Sequence, residues 1–246
     1  MRHKSIDYDS VSRIYDKVRP GDSEMVTNLL QSWNVSPGSL ILDVGCGTAN
    51  NTHLLSLATE SDVIGLDLSS GMLVEAVAKF PEGNFVQSAA ENIPFRNSIF
   101  DFVYMTEVIH HISDIPWAIR EMYRVLRNGG RTCIVTQSHA QIEHRDTSRF
   151  FPETVQIDQD RYPHIPALQK MLKNAGFSGV TFRECTFSPV LLGNDYLATV
   201  EQKGFSMLHK ISNDAFASGL EKLRNSLNRG AKPDYSAEYT FVWAVK

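Results

Sequence analysis

The chain is poor in the features that mark the simplest functional classes. It has three cysteines, Cys46, Cys133 and Cys185, too scattered for a disulfide framework or a paired metal-ligand spacing. They read as reduced thiols acting as small buried hydrophobes in a cytoplasmic protein. No apolar run approaches the roughly 20 residues of a membrane-spanning helix. The basic start Met1-Arg2-His3-Lys4 leads into Ser5-Ile6-Asp7-Tyr8-Asp9, where a signal peptide would place its apolar stretch. Positive charge is not in excess either. The formal net charge is -4, which opposes the basic face that nucleic-acid binding needs. No His/Asp/Glu group has metal-ligand spacing, so no metal is expected. Internal repeats and low-complexity segments are absent.

What remains is an ordinary globular composition, 42% hydrophobic and 21% charged, in 246 residues. That length suits one α/β domain over residues 1–246 with an insertion or two. Met25, Val26, Leu29, Leu30 and Trp33 recur at helical spacing, and Ser36-Pro37-Gly38 ends that helix. Leu40-Ile41-Leu42-Asp43-Val44 is a run suited to a strand buried on both faces. Asp62 to Asp67, Asn84 to Gln87, Phe100 to Tyr104 and Arg131 to Val135 repeat the pattern. Helical stretches separate them, one started by Ser69 and one entered at Asp114 and Pro116. Asn128-Gly129-Gly130 stops the latter. Such alternation predicts right-handed crossovers and a largely parallel sheet with helices on both faces.

Two stretches break the rhythm. Residues 138–162 are polar and charge-rich without a clear period, and residues 188–232 form a second irregular, partly helical insertion. Between them lie a helix around Leu168, Met171, Leu172 and Ala175 and a strand beginning at Val180. Tyr239 to Val245, apolar on both faces, predicts a last strand buried within the sheet.

The chemistry concentrates at Ile41 to Leu55, ILDVGCGTANNTHLL. Glycines after a strand usually cradle a phosphate, yet here a carboxylate, Asp43, stands at the mouth of the loop. A dinucleotide fingerprint wants a third small residue where this chain has Asn50. A pyrophosphate beside Asp43 would also meet repulsion of about 4 kcal/mol per charge pair at about 4 Å and an effective dielectric near 20. A cationic group reverses that sign. Asp67 then ends the second strand, where a carboxylate can accept hydrogen bonds from ribose hydroxyls. Ribose, no phosphate and a positive amino-acid end together describe S-adenosylmethionine.

Over residues 8–135 the sequence resembles the class I S-adenosylmethionine-dependent methyltransferases, in particular the ubiquinone and menaquinone biosynthesis branch. The matching blocks are Leu42 to Thr48, Gly65 to Ser69 with Met72, Ala90 to Phe95, Phe100-Asp101, His110-His111-Ile112 and Glu121 to Gly130. The resemblance implies a Rossmann-like seven-stranded sheet and S-adenosylmethionine as methyl donor. It places Gly45 and Gly47 under the methionine portion, Asp43 at its ammonium and Asp67 at the ribose. Leu68 and Met72 would pack near the adenine, Ala90 and Glu91 would border it, and Thr106 would face the methionine end. Tyr15 and Arg19 would belong to an element folding over the cofactor, with Arg19 meeting the carboxylate. Ala89 stands where family members often carry an acid for the adenine amino group, and Asn128 where proline is usual.

Acceptor chemistry is less legible. His110 or His111 is a candidate general base, with packing at a helix entrance as the plainer role. Arg145 and Arg149, in the first insertion, are candidates for an anionic acceptor or for a solvated face. Tyr8 and Tyr15 fit a lid over residues 1–35, with 138–162 and 188–232 capping the acceptor. Methyl transfer to a small molecule by in-line displacement is the expected function. A non-catalytic cofactor-binding protein and an NAD-dependent oxidoreductase are the alternatives, the latter opposed by Asp43 and Asn50. The acceptor, the methylated atom and the oligomeric state are not written in the sequence.

Overall fold

A computed structural model describes residues 21–31, 35–191, 194–229 and 234–246. Seven strands form the main sheet: β1 (Leu40–Val44), β2 (Asp62–Asp67), β3 (Asn84–Gln87), β4 (Phe100–Thr106), β5 (Leu126–Thr136), β6 (Ser178–Thr186) and β7 (Glu238–Val245). Their order is β3-β2-β1-β4-β5-β7-β6. The first five run parallel, and β7 lies antiparallel between β5 and β6. The chain therefore moves outward from β1 through β2 to β3, then returns to the other side of β1 with β4. In open sheets such a reversal leaves a ligand-binding crevice beyond the carboxyl ends of the strands, here those of β1 and β4.

Helices α1 (Ser23–Leu30), α2 (Asn50–Thr59), α3 (Ser70–Lys79) and α4 (Ile115–Val125) connect the first strands. Alternate residues of each central strand face opposite layers, as the pleat requires. Leu42, Val103, Met105, Ile134 and Val242 pack with Ile119 and Met122 of α4 and with Leu168 and Leu172. Ile41, Phe102, Tyr104, Cys133, Val135 and Phe241 pack on the other face with Met25, Val26 and Leu29 of α1 and Leu55 of α2. The central parts of these strands are mostly apolar because neither face of the sheet meets water there. Asp22, Ser69 and Asp114 each accept backbone N–H bonds at the starts of α1, α3 and α4, which satisfies donors the helices leave open.

Two local expectations are corrected. The Asn128-Gly129-Gly130 segment is not a gap between helix and strand: α4 ends at Val125 and β5 runs from Leu126. Pairing with the end of the chain holds it there, through Gly129 N–H to Lys246 O and Lys246 N–H to Gly130 O, both 2.9 Å. Residues 138–162 are not irregular but carry α5 (His139–His144), α6 (Asp146–Phe150) and α7 (Glu153–Arg161). Ser138 and Gln141 close α5 with reciprocal side-chain-to-backbone bonds.

After α8 (Ile165–Asn174) and β6, the second insertion contributes α9 (Asn194–Glu201) and α10 (Asn213–Asn228). Val190–Leu191 and Asp234–Tyr235 pair as a short separate ladder. The two insertions share a core of their own, with Phe150 and Phe151 from the first packed against Val200, Leu208 and Leu223 from the second. Gly219 makes this possible: a Cβ there would lie 2.3 Å from the Phe151 ring. Together they form one helical unit, called the cap below.

Candidate functional site

The loop leaving β1 turns on two glycines, with φ of +79° at Gly45 and +56° at Gly47, a region that favours glycine. The space a Gly45 side chain would fill belongs to Val108, whose Cγ2 would sit 2.4 Å from an added Cβ. Gly45 therefore serves the packing of the β4 exit as well as the turn. Its N–H and that of Cys46 bond to Leu66 O at 2.6 and 3.0 Å, which ties the loop to β2. Burial, with Asp43 and Asp67 nearby, pushes the Cys46 thiol well up, so it stays protonated.

Asp43 is 1% exposed. Its Oδ2 accepts from Thr52 Oγ1 at 2.7 Å and from Tyr104 OH at 2.8 Å. Its Oδ1 is buried with no hydrogen-bond partner. Burial raises the carboxyl to about 7, Thr52 and Tyr104 hold it down, and Asp67 pushes it up again. A buried carboxylate with an open oxygen lacks a positive counter-charge. An amino-acid ammonium beside the glycine loop would supply it, so Asp43 fits the methionine end of S-adenosylmethionine.

Asp67 caps two turns at once. Its Oδ2 accepts from Gly47 N–H and its Oδ1 from Ser69 N–H, both at 2.8 Å. These bonds fix the plane of the carboxylate at the end of β2, the position from which it would meet ribose hydroxyls. Leu68 follows it and is 69% exposed, an apolar side chain that a flat heterocycle would cover. Met72 is 2% exposed and contributes to helix packing. Ala90 is buried, while Glu91 turns its carboxylate to the entrance of α4, accepting from Ser113 N–H at 3.1 Å and Asp114 N–H at 3.3 Å. Its role in the fold is to fasten that loop.

The end of β4 supplies the opposite wall. Thr106 is half-buried at the last strand position, and Glu107 takes a φ of +57°, uncommon outside glycine. His110 is buried and His111 exposed, in a short turn of helix. Tyr162, just past α7 in the cap, stacks on His110 with ring centroids 3.9 Å apart. Its hydroxyl lies 3.2 Å from His110 Nε2 and 3.4 Å from Glu107 Oε2. Burial drives the phenol well above its usual range, and Glu107 and Asp158 add to the effect. Glu107 and Tyr162 are absent from the sequence-based site. The left-handed φ of the one and the long-range contact of the other have no local signature.

The two arginine candidates part company. Arg145 is buried and committed: its guanidinium pairs with Asp158 and donates to Gln137 Oε1 at 3.0 Å and Ser148 Oγ at 3.2 Å. Arg161 bonds the other oxygen of the same fully buried Asp158. Arg149 is exposed, over the Phe150 ring and beside Lys222 and Arg229. Tyr8, Tyr15 and Arg19 lie outside the described residues. Among the described residues, no three His, Cys, Asp or Glu side chains gather as a metal site, and no helix is long and apolar enough to cross a membrane.

Residues 42–134 match a family model described as a methyltransferase domain. Demethylmenaquinone methyltransferase of Lysinibacillus sphaericus is 26% identical over 205 residues, covering 72% of this chain and 88% of the relative. Phosphoethanolamine N-methyltransferase 1 of Zea mays is 26% identical over 203 residues, covering 80% of this chain. This chain spans 38% of the length of that relative. Among solved structures, Haemonchus contortus phosphoethanolamine N-methyltransferase 2 in complex with S-adenosyl-L-methionine matches with a TM-score of 0.65 at 21% identity. The match covers 97% of this chain and 57% of that one. Residues 42–134 thus match a methyltransferase domain, on a fold shared with a solved methyltransferase.

Proposed function

We propose that the chain methylates a small-molecule acceptor held between the end of β4 and the cap, with His110 taking the acceptor's proton and Tyr162 relaying a proton to Glu107. Bound S-adenosylmethionine supplies a methyl group already activated by its sulfonium. The residues are left to align the acceptor, exclude water and accept a proton where the nucleophile carries one. Asp43 and the glycine loop hold the methionine end, and Asp67 and Leu68 hold the nucleoside.

One observation carries the reading. The cap brings Tyr162 OH to 3.2 Å from His110 Nε2 on the wall formed by the exit of β4. The phenol has one hydrogen to give. When it goes to Glu107, the imidazole Nε2 must donate to the phenol oxygen, so Glu107, Tyr162 and His110 form a chain along which a proton can pass. The positive φ of Glu107 is strain of the kind found at functional positions. The shared core of the insertions supports their acting as one lid, which the N-terminal residues Tyr8, Tyr15 and Arg19 would complete. Relatives named for demethylmenaquinone and for phosphoethanolamine support a small acceptor, and the acidic net charge of -4 supports one without nucleic acid.

Product formation with a panel of proton-bearing acceptors tests this. Tyr162→Phe and His110→Gln are expected to lower kcat by about a hundredfold or more while leaving adenosylhomocysteine affinity within twofold. Unchanged turnover in both variants would place the acceptor elsewhere.

A further inference from the structure

A groove lies on the cap, lined by residues that the methyl-transfer site does not use. It measures about 420 Å³ and is lined by Arg149, Phe150, Lys222, Asn225, Ser226 and Arg229. That volume falls within the range of small-molecule sites. Lys222, Asn225, Ser226 and Arg229 follow one another at spacings of three, one and three residues along and just past α10, so they share one face. Arg149 and Phe150 come from α6 opposite. Gly219 sets the distance between the two walls, because the absence of its side chain lets α10 rest directly on Phe151. The Phe150 ring underlies the Arg149 guanidinium, 5.7 Å from centroid to Cζ.

The chemistry of the lining is one-sided. Three side chains are cationic, two are neutral hydrogen-bonding groups, one is aromatic, and none is acidic. Asp146, one turn before Arg149, is the acid whose charge Arg149 feels. Three cations against that one carboxylate leave about two positive charges. Two guanidinium forks, an ammonium, an amide and a hydroxyl are the donors that recognise phosphate oxygens. The carbonyl of Asn225 and the Phe150 ring offer little to a free metal ion or a cationic ligand in the presence of three cations.

We propose that this groove binds the doubly charged phosphoryl group of a soluble small molecule, at a site separate from the methyl-transfer crevice. The reading is independent of the acceptor assigned to His110 and Tyr162. Arg149, a candidate for the acceptor pocket on sequence grounds, belongs to this second site.

Inorganic pyrophosphate is the probe, titrated calorimetrically into the full chain with and without saturating adenosylhomocysteine. Binding is expected in both conditions, weakened about tenfold or more in Lys222→Ala and in Arg229→Ala, since each removes a charge-assisted phosphate contact. Both positions are exposed, so folding is not at stake. Arg224→Ala, on another face of α10 where the guanidinium pairs with Glu201 of α9, is the control for unspecific charge and should bind as the parent does. Co-sedimentation with vesicles containing phosphatidylglycerol separates a soluble ligand from a lipid headgroup. The proposal is overturned by the absence of pyrophosphate binding, by equal weakening in Arg224→Ala, or by binding to vesicles without binding to pyrophosphate.

Discussion

Tyr104 on β4 donates its phenol hydrogen to Oδ2 of Asp43 on β1 across the sheet's reversal point, at 2.8 Å. Thr52 donates to the same oxygen, and Oδ1 is left buried without a partner. The fold therefore orients the carboxylate with neutral donors and does not neutralise it. An acid held this way is costly in the free protein and becomes favourable when a cation arrives.

That cost is measurable. Burial raises Asp43 to about 7 from 3.8, so the folded state holds a proton over a range where the unfolded state has lost it. The penalty is absent below about 3.8, grows as pH rises towards about 7 and is constant above, where it amounts to roughly 4 kcal/mol. Asp43→Asn removes it. Urea unfolding of the cofactor-free protein should show the variant gaining on the parent between pH 5 and pH 8. A difference that does not change with pH would mean that Asp43 is not raised.

Asp67→Ala should act twice. It strips the acceptor from Gly47 N–H and Ser69 N–H, a loss of about 2 kcal/mol in stability, and it would remove the proposed ribose contact. Calorimetry is expected to show adenosylhomocysteine binding weakened by about a hundredfold. Undiminished affinity would remove Asp67 from the cofactor site.

Arg145→Ala leaves the fully buried Asp158 with one arginine instead of two. Breaking a buried pair from one side costs about 3–5 kcal/mol, so the cap should loosen. Arg149→Ala, at an exposed site, should fall within about 0.5 kcal/mol of the parent. Chemical denaturation of the two variants side by side distinguishes them, and equal stability would refute a structural role for Arg145.

How much of this was legible in the sequence follows from how locally each feature is determined. β1, β2 and β4 are apolar on both faces and bounded by turn residues, so they announce themselves. Asp43, Gly45, Gly47 and Asp67 stand at fixed offsets from strand ends, so their place follows once the strands do. The cap does not read this way. Its α5, α6 and α7 are 6, 5 and 9 residues long, and α7 buries the polar Thr154 and Asp158. Helices that short, stabilised by caps and an ion pair, show no hydrophobic period. Tyr162 and His110 meet across 52 residues, a contact that exists only after the cap docks.

The central claim is that Asp43 must be ionised to hold the cofactor's ammonium. Adenosylhomocysteine affinity measured from pH 5 to pH 8.5, in the parent and in Asp43→Asn, tests it most directly. The parent should lose about tenfold in affinity for each pH unit below about 7, where its carboxyl takes up a proton, and hold level above. The variant should bind weakly across the range, with no such slope. A parent profile flat through pH 7, or a variant that binds as tightly as the parent, would contradict the account.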